Sequence, residues 1–211
     1  MASATVPPAV PAGLSLYRLR QVHGDAVVVA DAPPPPGCGR WLAEADGRPP
    51  EADAVVAVGS RSCAVVLTAD CAPVALGSPE GVHGAVHVGW RGLRAGVLSG
   101  AVAAMTALGA STVVAGLGPS IHPCCYAFGP ADLDALAAVL DDGVRGTTAG
   151  GEPALDLPAA VRAQLAHAGA RLVVDVDVCT ACGPDGFSHR ARKDDARQGL
   201  FVWSVARSSS P

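Results

Sequence analysis

Three histidines and one cysteine occupy positions in or beside short apolar runs where they could bind a metal ion. His23 lies in QVHGD, and Cys71 ends the run AVVLTADC. His83 and His87 lie four residues apart in GVHGAVHVGW, a strand-like segment, so both side chains are expected on one face of a sheet. Two imidazoles and one thiolate suit Zn²⁺ or copper, and three protein ligands leave one position open for chemistry. The spacing matches no standard zinc signature such as HExxH, so residue type alone leaves a metal site and simple core packing both open.

Two further cysteine pairs compete for a metal or redox role. Cys179 and Cys182 form the motif CTAC, which is followed by Gly-Pro rather than by the helix typical of redox motifs. Cys124 and Cys125 are adjacent, and adjacent cysteines do not easily bind one ion in regular structure. A zinc ribbon needs a second CxxC, which the sequence lacks, so loop packing remains the alternative. Cys125 is also a candidate nucleophile.

Charged residues near these motifs are candidates for binding an anion or moving a proton. Arg91 and Arg190 are candidate anion anchors, because a guanidinium group matches phosphate oxygens, although each could equally be a solvated side chain. Asp70 is the carboxylate nearest to Cys71 in sequence and a candidate proton shuttle, but the chain neighbour of a ligand usually points away. The Gly- and Pro-rich segment Gly116–Gly129 could let backbone approach a ligand, or could simply form a turn.

The elements that must position these residues are short strands followed by helices. Strands come first and helices mostly later, which favours an α+β fold with a mixed sheet. Strands are predicted at Leu14–Arg20, Asp25–Ala30, Ala54–Val58, Cys63–Thr68, Pro73–Leu76, Val82–Val88, Thr112–Leu117, Leu172–Val178 and Leu200–Val205. Helices are predicted at about Leu93–Leu108, from Pro130 onward, and from an Asp156 cap to Gly169. Residues 1–13 are expected to form a flexible tail, 14–211 a single domain, and Asp31–Ala52 and 146–154 loops, the second of them mobile.

Composition favours a small-molecule partner. The 211 residues carry 15 basic and 19 acidic side chains without a basic block, which argues against nucleic-acid binding. No signal peptide is evident, and the uncharged stretch Ala95–Ala131 is cut by glycines, so a buried helix and strand are expected rather than a membrane span. A cytoplasmic location with reduced thiols is expected, and the oligomeric state is left open.

Taken together, six segments resemble the YfiH-like family, also described as the laccase-domain or multicopper polyphenol oxidase family. The matching strings follow the family order and extend over nearly the whole chain, from residue 21 to about 205. They are QVHG (Gln21–Gly24), TADC with APV (Thr68–Val74), HVGWRGL (His87–Leu93), GPSIHPCCY (Gly118–Tyr126), CT (Cys179–Thr180) and FSHR (Phe187–Arg190).

The resemblance implies a fold, a metal site and an activity. The fold is a mixed β-sandwich-like α+β core flanked by helices. His23, Cys71 and His87 would bind one zinc or copper ion and take part in catalysis. The implied reactions are phosphorolysis of adenosine, inosine, guanosine and methylthioadenosine, and deamination of adenosine. Copper-dependent phenol oxidation and a metal-holding protein with little activity are the alternatives.

The same resemblance frames the expected substrate site. Purine nucleosides and phosphate would be the partners, with Arg91 and Arg190 holding phosphate and taking part in catalysis. Cys125 and His83 are expected to help bind substrate, with His83 near the metal ligands. The family pattern is altered at three positions, which carry His122, Ala127 and His189 in place of Gly, Glu and Tyr. QVHG is reached by residue 21, so the longer amino-terminal family segment is not recognisable, and the departures are expected to affect the substrate pocket.

Overall fold

A computed structural model describes residues 10–11, 13–30 and 48–205 of the chain. The tail expected at 1–13 and most of the loop expected at Asp31–Ala52 therefore lie outside the described residues. The strands are β1 (Ser15–Arg18), β2 (Val27–Ala30), β3 (Ala54–Val58), β4 (Ser62–Thr68), β5 (Ala72–Gly77), β6 (Val82–Val88), β7 (Val114–Leu117), β8 (Arg145–Thr147), β9 (Pro153–Leu155), β10 (Arg171–Asp175) and β11 (Gln198–Trp203). The helices are α1 (Trp90–Ala95), α2 (Val97–Ala107), α3 (Pro130–Val139), α4 (Leu157–His167) and α5 (His189–Arg192).

Nine of the strands form a larger and a smaller sheet, both of mixed direction, while β8 and β9 pair antiparallel as a separate two-stranded sheet. The larger sheet has the order β10-β7-β5-β6-β3-β2, and the smaller has the order β1-β4-β11. In the larger sheet β5 and β6 pair antiparallel while β2 and β3 pair parallel. In the smaller sheet β1 runs parallel and β11 antiparallel to β4. Mixed pairing of this kind is what the irregular order of strands and helices predicted.

Two apolar layers hold the sheets and helices together. Between the sheets, Tyr17 and Val66 of the smaller sheet pack with Val55 and Ala85 of the larger one. On its other face, the larger sheet packs against the helices through a core that includes Val86 and Leu98. The small Ala and Val side chains allow these layers to approach closely. The predicted fold class, a mixed β-sandwich-like core flanked by helices, is confirmed.

Two predictions differ from the structure in the kind of element, and most of the predicted strands differ in their bounds by one to three residues. The helix expected at about Leu93–Leu108 is divided by Gly96, whose φ of 87° lies in the left-handed region that ends one helix and allows the next to begin in a new direction. The segment expected to be a mobile loop at 146–154 forms most of the β8–β9 hairpin. The Asp156 cap was predicted correctly, since its side chain accepts a hydrogen bond from the Ala159 amide at 2.8 Å.

The uncharged segment between Ala95 and Ala131 is divided among α1, α2, β7 and a Pro123–Cys125 turn of 3₁₀ helix. Across the residues that the structure describes, none of the helices has both the length and the apolar character needed to cross a membrane.

Candidate metal centre

Three separate parts of the chain bring His23, Cys71 and His87 together. His23 lies in the turn before β2, Cys71 in the corner between β4 and β5, and His87 near the end of β6. One ligand atom from each residue lies within 4.8 Å of the others. The two imidazole rings meet edge to face with centroids 4.8 Å apart. The structure thus brings together the three residues that the sequence analysis proposed as metal ligands.

Asp53 organises this group from the residue just before β3. Its carboxylate is fully buried and lies 2.7 Å from Nδ1 of His87. The same carboxylate accepts hydrogen bonds from the backbone amides of Val22, His23 and Gly24 at 3.2, 2.9 and 2.7 Å. One side chain therefore fixes both the orientation of the His87 ring and the turn that carries His23. Asp53 was not predicted from the sequence, where the one signal for it is an acidic residue directly before a buried apolar strand.

The charges of these groups are tightly linked. Burial raises the pKa of the Cys71 thiol, but hydrogen bonds with His23 and His87 outweigh burial and lower that pKa to about 6. Burial lowers the pKa of His87, but its hydrogen bonds to Asp53 and Cys71 prevail and raise the pKa to about 9. Burial likewise opposes ionisation of Asp53, yet its bonds from His87 and Gly24 hold the pKa of that carboxyl below its ordinary value. Cys71 is accordingly disposed to be a thiolate, the form that binds metal.

A glycine makes room for the cluster. A Cβ atom at Gly89 would lie 3.0 Å from Cδ2 of His23 and 3.4 Å from Sγ of Cys71. His23 itself adopts a φ of 63°, an uncommon conformation for a residue with a side chain. The hydrogen bonds to Asp53 hold it there. Both observations indicate that the local backbone is arranged around the position of the His23 ring.

The donor set fits a zinc or copper ion. A thiolate and two imidazoles are ligands that both metals accept, and three protein ligands match the usual composition of catalytic zinc sites. Since Nδ1 of His87 is engaged by Asp53, Nε2 is left to bind a metal, which is the carboxylate–histidine arrangement common behind metal ligands. The residues present therefore fit the metal that the resemblance implies.

The three residues line a cavity of about 470 Å³ whose other walls carry several cationic side chains. Arg18, Arg20 and Arg197 line it, as does His189 of α5. These arginines were not predicted from the sequence as site residues, because they come from three separate places: β1, the residues just after it and the segment before β11. Arg20 also pairs with Glu51, and Arg197 donates hydrogen bonds to the carbonyls of Asp194 and Ala196 at 2.7 and 2.8 Å.

The two arginines that the sequence analysis did propose lie elsewhere. Arg91 is exposed on α1 with its guanidinium 4.6 Å from the centre of the Trp90 ring, and it lines a separate cavity. Arg190 lies with its guanidinium 5.0 Å from the centre of the Tyr126 ring. Burial raises the pKa of Tyr126 to about 12, and the nearby Cys71 adds to this effect. Neither arginine is among the residues lining the cavity, and Arg190 is connected to the centre only through Tyr126 and its nearby Cys71.

His83 does not lie near the three ligands. It shares a sheet face with His87, as expected, but four residues of strand separate the two by about 13 Å. Its Nδ1 lies 3.1 Å from the Gly81 carbonyl and its Nε2 3.2 Å from that of Ser62. Burial lowers the pKa of His83. The expectation that His83 lies near the metal ligands is corrected, since its Nε2 contact with Ser62 instead joins β6 of the larger sheet to β4 of the smaller one.

Asp70 points away from the cavity ligands, as expected for a chain neighbour. Its carboxylate accepts hydrogen bonds from the Thr180 hydroxyl at 2.9 Å and the Arg190 amide at 2.6 Å. The Asp70 backbone has a φ of 88°, and its carbonyl accepts a bond from the Ile121 amide at 2.8 Å. Asp70 therefore ties the loop after β7 and the start of α5 to the corner that carries Cys71.

Cys125 belongs to a different group of residues. Its Sγ lies 3.5 Å from that of Cys182 and 3.7 Å from that of Cys124. The two cysteine pairs that the sequence left separate thus form one cluster of four thiols, from Cys124, Cys125, Cys179 and Cys182. The structure places Cys125 among these thiols and not among the residues lining the cavity.

Comparison with known proteins places these observations in a family. Residues 9–205 match a family model described as multi-copper polyphenol oxidoreductase laccase. The chain is 39% identical over 188 residues to a Streptomyces coelicolor protein named purine nucleoside phosphorylase SCO2081, covering 88% of this chain and 73% of that protein. It is 35% identical over 192 residues to a Xylella fastidiosa (strain Temecula1) protein named purine nucleoside phosphorylase, covering 88% of this chain and 70% of that one.

Two solved structures of similar proteins superpose on most of this chain. Neisseria meningitidis protein NMB0706 superposes with a TM-score of 0.74 at 29% identity, over 90% of this chain and 75% of that one. YlmD from Geobacillus stearothermophilus gives a TM-score of 0.74 at 26% identity, over 90% of this chain and 73% of the other. With the family match spanning most of its length, the chain belongs to the multi-copper polyphenol oxidoreductase laccase family, the YfiH-like family that its motifs indicated.

Proposed function

We propose that this protein is a zinc-dependent purine nucleoside phosphorylase of the cytoplasm. The observation that carries the proposal is a cavity in which His23, Cys71 and His87 lie together, with arginine side chains in its walls. Phosphorolysis needs a phosphate ion and a nucleoside held side by side, and a metal centre beside cationic side chains offers both kinds of contact. The relatives named purine nucleoside phosphorylase support this assignment.

The arginines of the cavity would bind phosphate. A guanidinium group donates paired hydrogen bonds to two phosphate oxygens, and Arg18, Arg20 and Arg197 all line the cavity. They are better candidates than Arg91, which stacks on Trp90 and lines another cavity. Arg190, over the Tyr126 ring, would add positive charge beside Cys71.

The remaining groups would assist bond cleavage or keep the site in shape. In the reaction the bond from C1′ of the ribose to N9 of the purine breaks, and a bond from C1′ to a phosphate oxygen forms. His189 faces the cavity and would donate a hydrogen bond to the purine as it leaves. Gln21 is engaged with both backbone groups of Leu67, at 2.7 and 2.9 Å, so it fixes the turn before His23. A zinc ion bound at His23, Cys71 and His87 would supply Lewis acidity.

The test is release of hypoxanthine from inosine by the purified, zinc-reconstituted protein. Product is expected only when phosphate is present, with ribose 1-phosphate formed in equal amount. His87→Ala is expected to abolish it. Arg20→Ala and Arg197→Ala are expected to raise KM for phosphate by about tenfold or more, because each removes a hydrogen bond between charged groups. Arg171→Ala is the matched control, at an exposed position of β10 that is not part of the cavity lining, and it is expected to leave KM for phosphate unchanged.

We also propose that the same centre deaminates adenosine, and the same preparation tests this second reaction. Adenosine is expected to yield adenine by phosphorolysis and inosine with ammonia by deamination, and both should be lost in His87→Ala. Inosine cleavage that needs no phosphate, or that survives both His87→Ala and a chelator, would contradict the proposal. Oxidation of a phenolic dye only by the copper-loaded protein under oxygen, with no nucleoside turnover, would favour the oxidase alternative.

A further inference from the structure

The second cysteine cluster has the dimensions of a tetrahedral metal site. Cys124 Sγ lies 3.4 Å from that of Cys182, 3.7 Å from that of Cys125 and 3.8 Å from that of Cys179. Cys125 and Cys182 are 3.5 Å apart, and all four sulfur atoms lie within 4.8 Å of one another. With Zn–S bonds of about 2.3 Å, sulfur atoms at the corners of a tetrahedron are about 3.8 Å apart. We propose that Cys124, Cys125, Cys179 and Cys182 bind a second ion, a structural Zn²⁺.

The local backbone resolves the difficulty that adjacent cysteines pose. Cys124 and Cys125 lie in the Pro123–Cys125 turn of 3₁₀ helix, where the chain curves tightly enough for both thiols to face Cys182. Cys179 and Cys182 lie in a tight turn in which the Cys182 amide donates to the Cys179 carbonyl at 3.4 Å. The sequence lacked a second CxxC, but the adjacent pair supplies the other half of a four-thiolate set.

The CTAC turn is held in shape by groups that do not depend on the thiols. The Arg192 guanidinium donates hydrogen bonds to the carbonyls of Thr180 at 3.2 Å and Gly183 at 3.2 Å, and also to that of Gly186. Separately, the His122 amide donates to Sγ of Cys179 at 3.4 Å and holds this sulfur atom in place. Ligands that are already positioned lose little freedom when an ion binds.

Four thiolates leave no open position on zinc, so the ion would be structural rather than catalytic. Its position explains what it would stabilise. Thr180, next to Cys179, donates to Asp70, and Tyr126, next to Cys125, lies beneath the Arg190 guanidinium. The ion would join the loop after β7 to the CTAC turn at the point where both meet the residues behind the candidate metal centre.

Zinc content gives the first test. The full chain is stripped of metal under reducing conditions, reloaded with Zn²⁺ alone, and desalted. Two zinc ions per chain are expected in the wild type and in Cys63→Ala, a cysteine of β4 outside both clusters. Cys124→Ser, Cys182→Ser and the double variant His23→Ala/His87→Ala are each expected to retain one. Unchanged zinc content in both serine variants would overturn the proposal.

X-ray absorption at the zinc edge gives a second test in which all four cysteines stay intact. In the His23→Ala/His87→Ala variant, the remaining zinc is expected to show four sulfur neighbours at about 2.3 Å and no nitrogen or oxygen. Failure to retain zinc, or a shell with nitrogen or oxygen ligands, would contradict the assignment. Disulfide bonds among these four cysteines in place of bound zinc, in protein that has been freshly reduced and reloaded, would also overturn it.

Discussion

At the scale of single residues, Asp53 determines the geometry of the candidate metal centre. It lies behind His87 and beneath the turn of His23, and each of its oxygens accepts two hydrogen bonds. A buried carboxylate in this arrangement fixes the tautomer of a ligating histidine and increases its basicity. Two of the three ligands therefore depend on a fourth residue, which is not among the residues lining the cavity.

Replacing Asp53 with Asn tests this dependence. The amide nitrogen cannot accept hydrogen bonds, so either the His87 ring or the turn at His23 loses its partner. Zinc affinity at this centre is expected to fall about 10- to 100-fold, measured by competition with a chromophoric chelator. The matched control, Asp132→Asn on the exposed start of α3, is expected to leave affinity unchanged. Wild-type affinity in Asp53→Asn would show that the carboxylate does not position the ligands.

The sequence identified the ligands but not their support, for a physical reason. His23, Cys71 and His87 lie in motifs whose residue types suit metal binding. Asp53 has no such motif, since its importance comes from backbone amides about 30 residues away in the chain. The cavity arginines were missed for the same reason, because their convergence depends on the packing of β1 against β4 and on the segment before β11.

At the scale of elements, Gln164 joins three helices around the break at Gly96. From its buried position on α4, its amide oxygen accepts from the Leu98 amide at 3.1 Å and its amide nitrogen donates to the Leu93 carbonyl at 2.7 Å. The Leu98 amide lies in the first turn of α2, where a helix leaves its amides without internal partners, and the Leu93 carbonyl near the end of α1 also accepts from the Gly96 amide at 3.1 Å. One side chain thus compensates for dividing the helix.

Gln164→Leu is expected to destabilise the protein by about 1 to 3 kcal/mol, because the buried Leu98 amide would lose its partner and the Leu93 carbonyl one of its two. Urea unfolding at fixed zinc concentration measures this as a lower midpoint with an unchanged slope. Ala166→Leu, at an exposed position on the same helix, is the control and should change stability by less than about 0.5 kcal/mol. A midpoint for Gln164→Leu equal to that of the control would contradict this account of the helix junction.

Elements were predictable where local pattern decides the structure. The bounds of β3 and β6 match the prediction because continuous Val- and Ala-rich runs end at turn residues. The division at Gly96 was missed, since a single glycine inside a helical pattern is often tolerated and only tertiary contacts such as those of Gln164 reveal the change of direction. The β8–β9 hairpin was missed because its strands are three residues each, too short for a period to emerge.

At the scale of the whole molecule, the two-sheet architecture brings distant segments to one cavity. The turn before β2, the corner after β4 and the end of β6 supply the proposed ligands, while β1 and the segment before β11 supply arginines. The four-thiol cluster lies behind the same region, linked to it through Thr180 and Asp70. Fold, proposed phosphate binding and proposed metal binding are therefore properties of the same packing arrangement.

The most direct test of the central claim is anomalous X-ray diffraction at the zinc edge from crystals of the zinc-loaded full chain. An anomalous peak is predicted at about 2.0–2.1 Å from one ring nitrogen each of His23 and His87 and about 2.3 Å from Sγ of Cys71. A fully zinc-loaded crystal with no peak among these three atoms, or with the ion held there by other residues, would contradict the account.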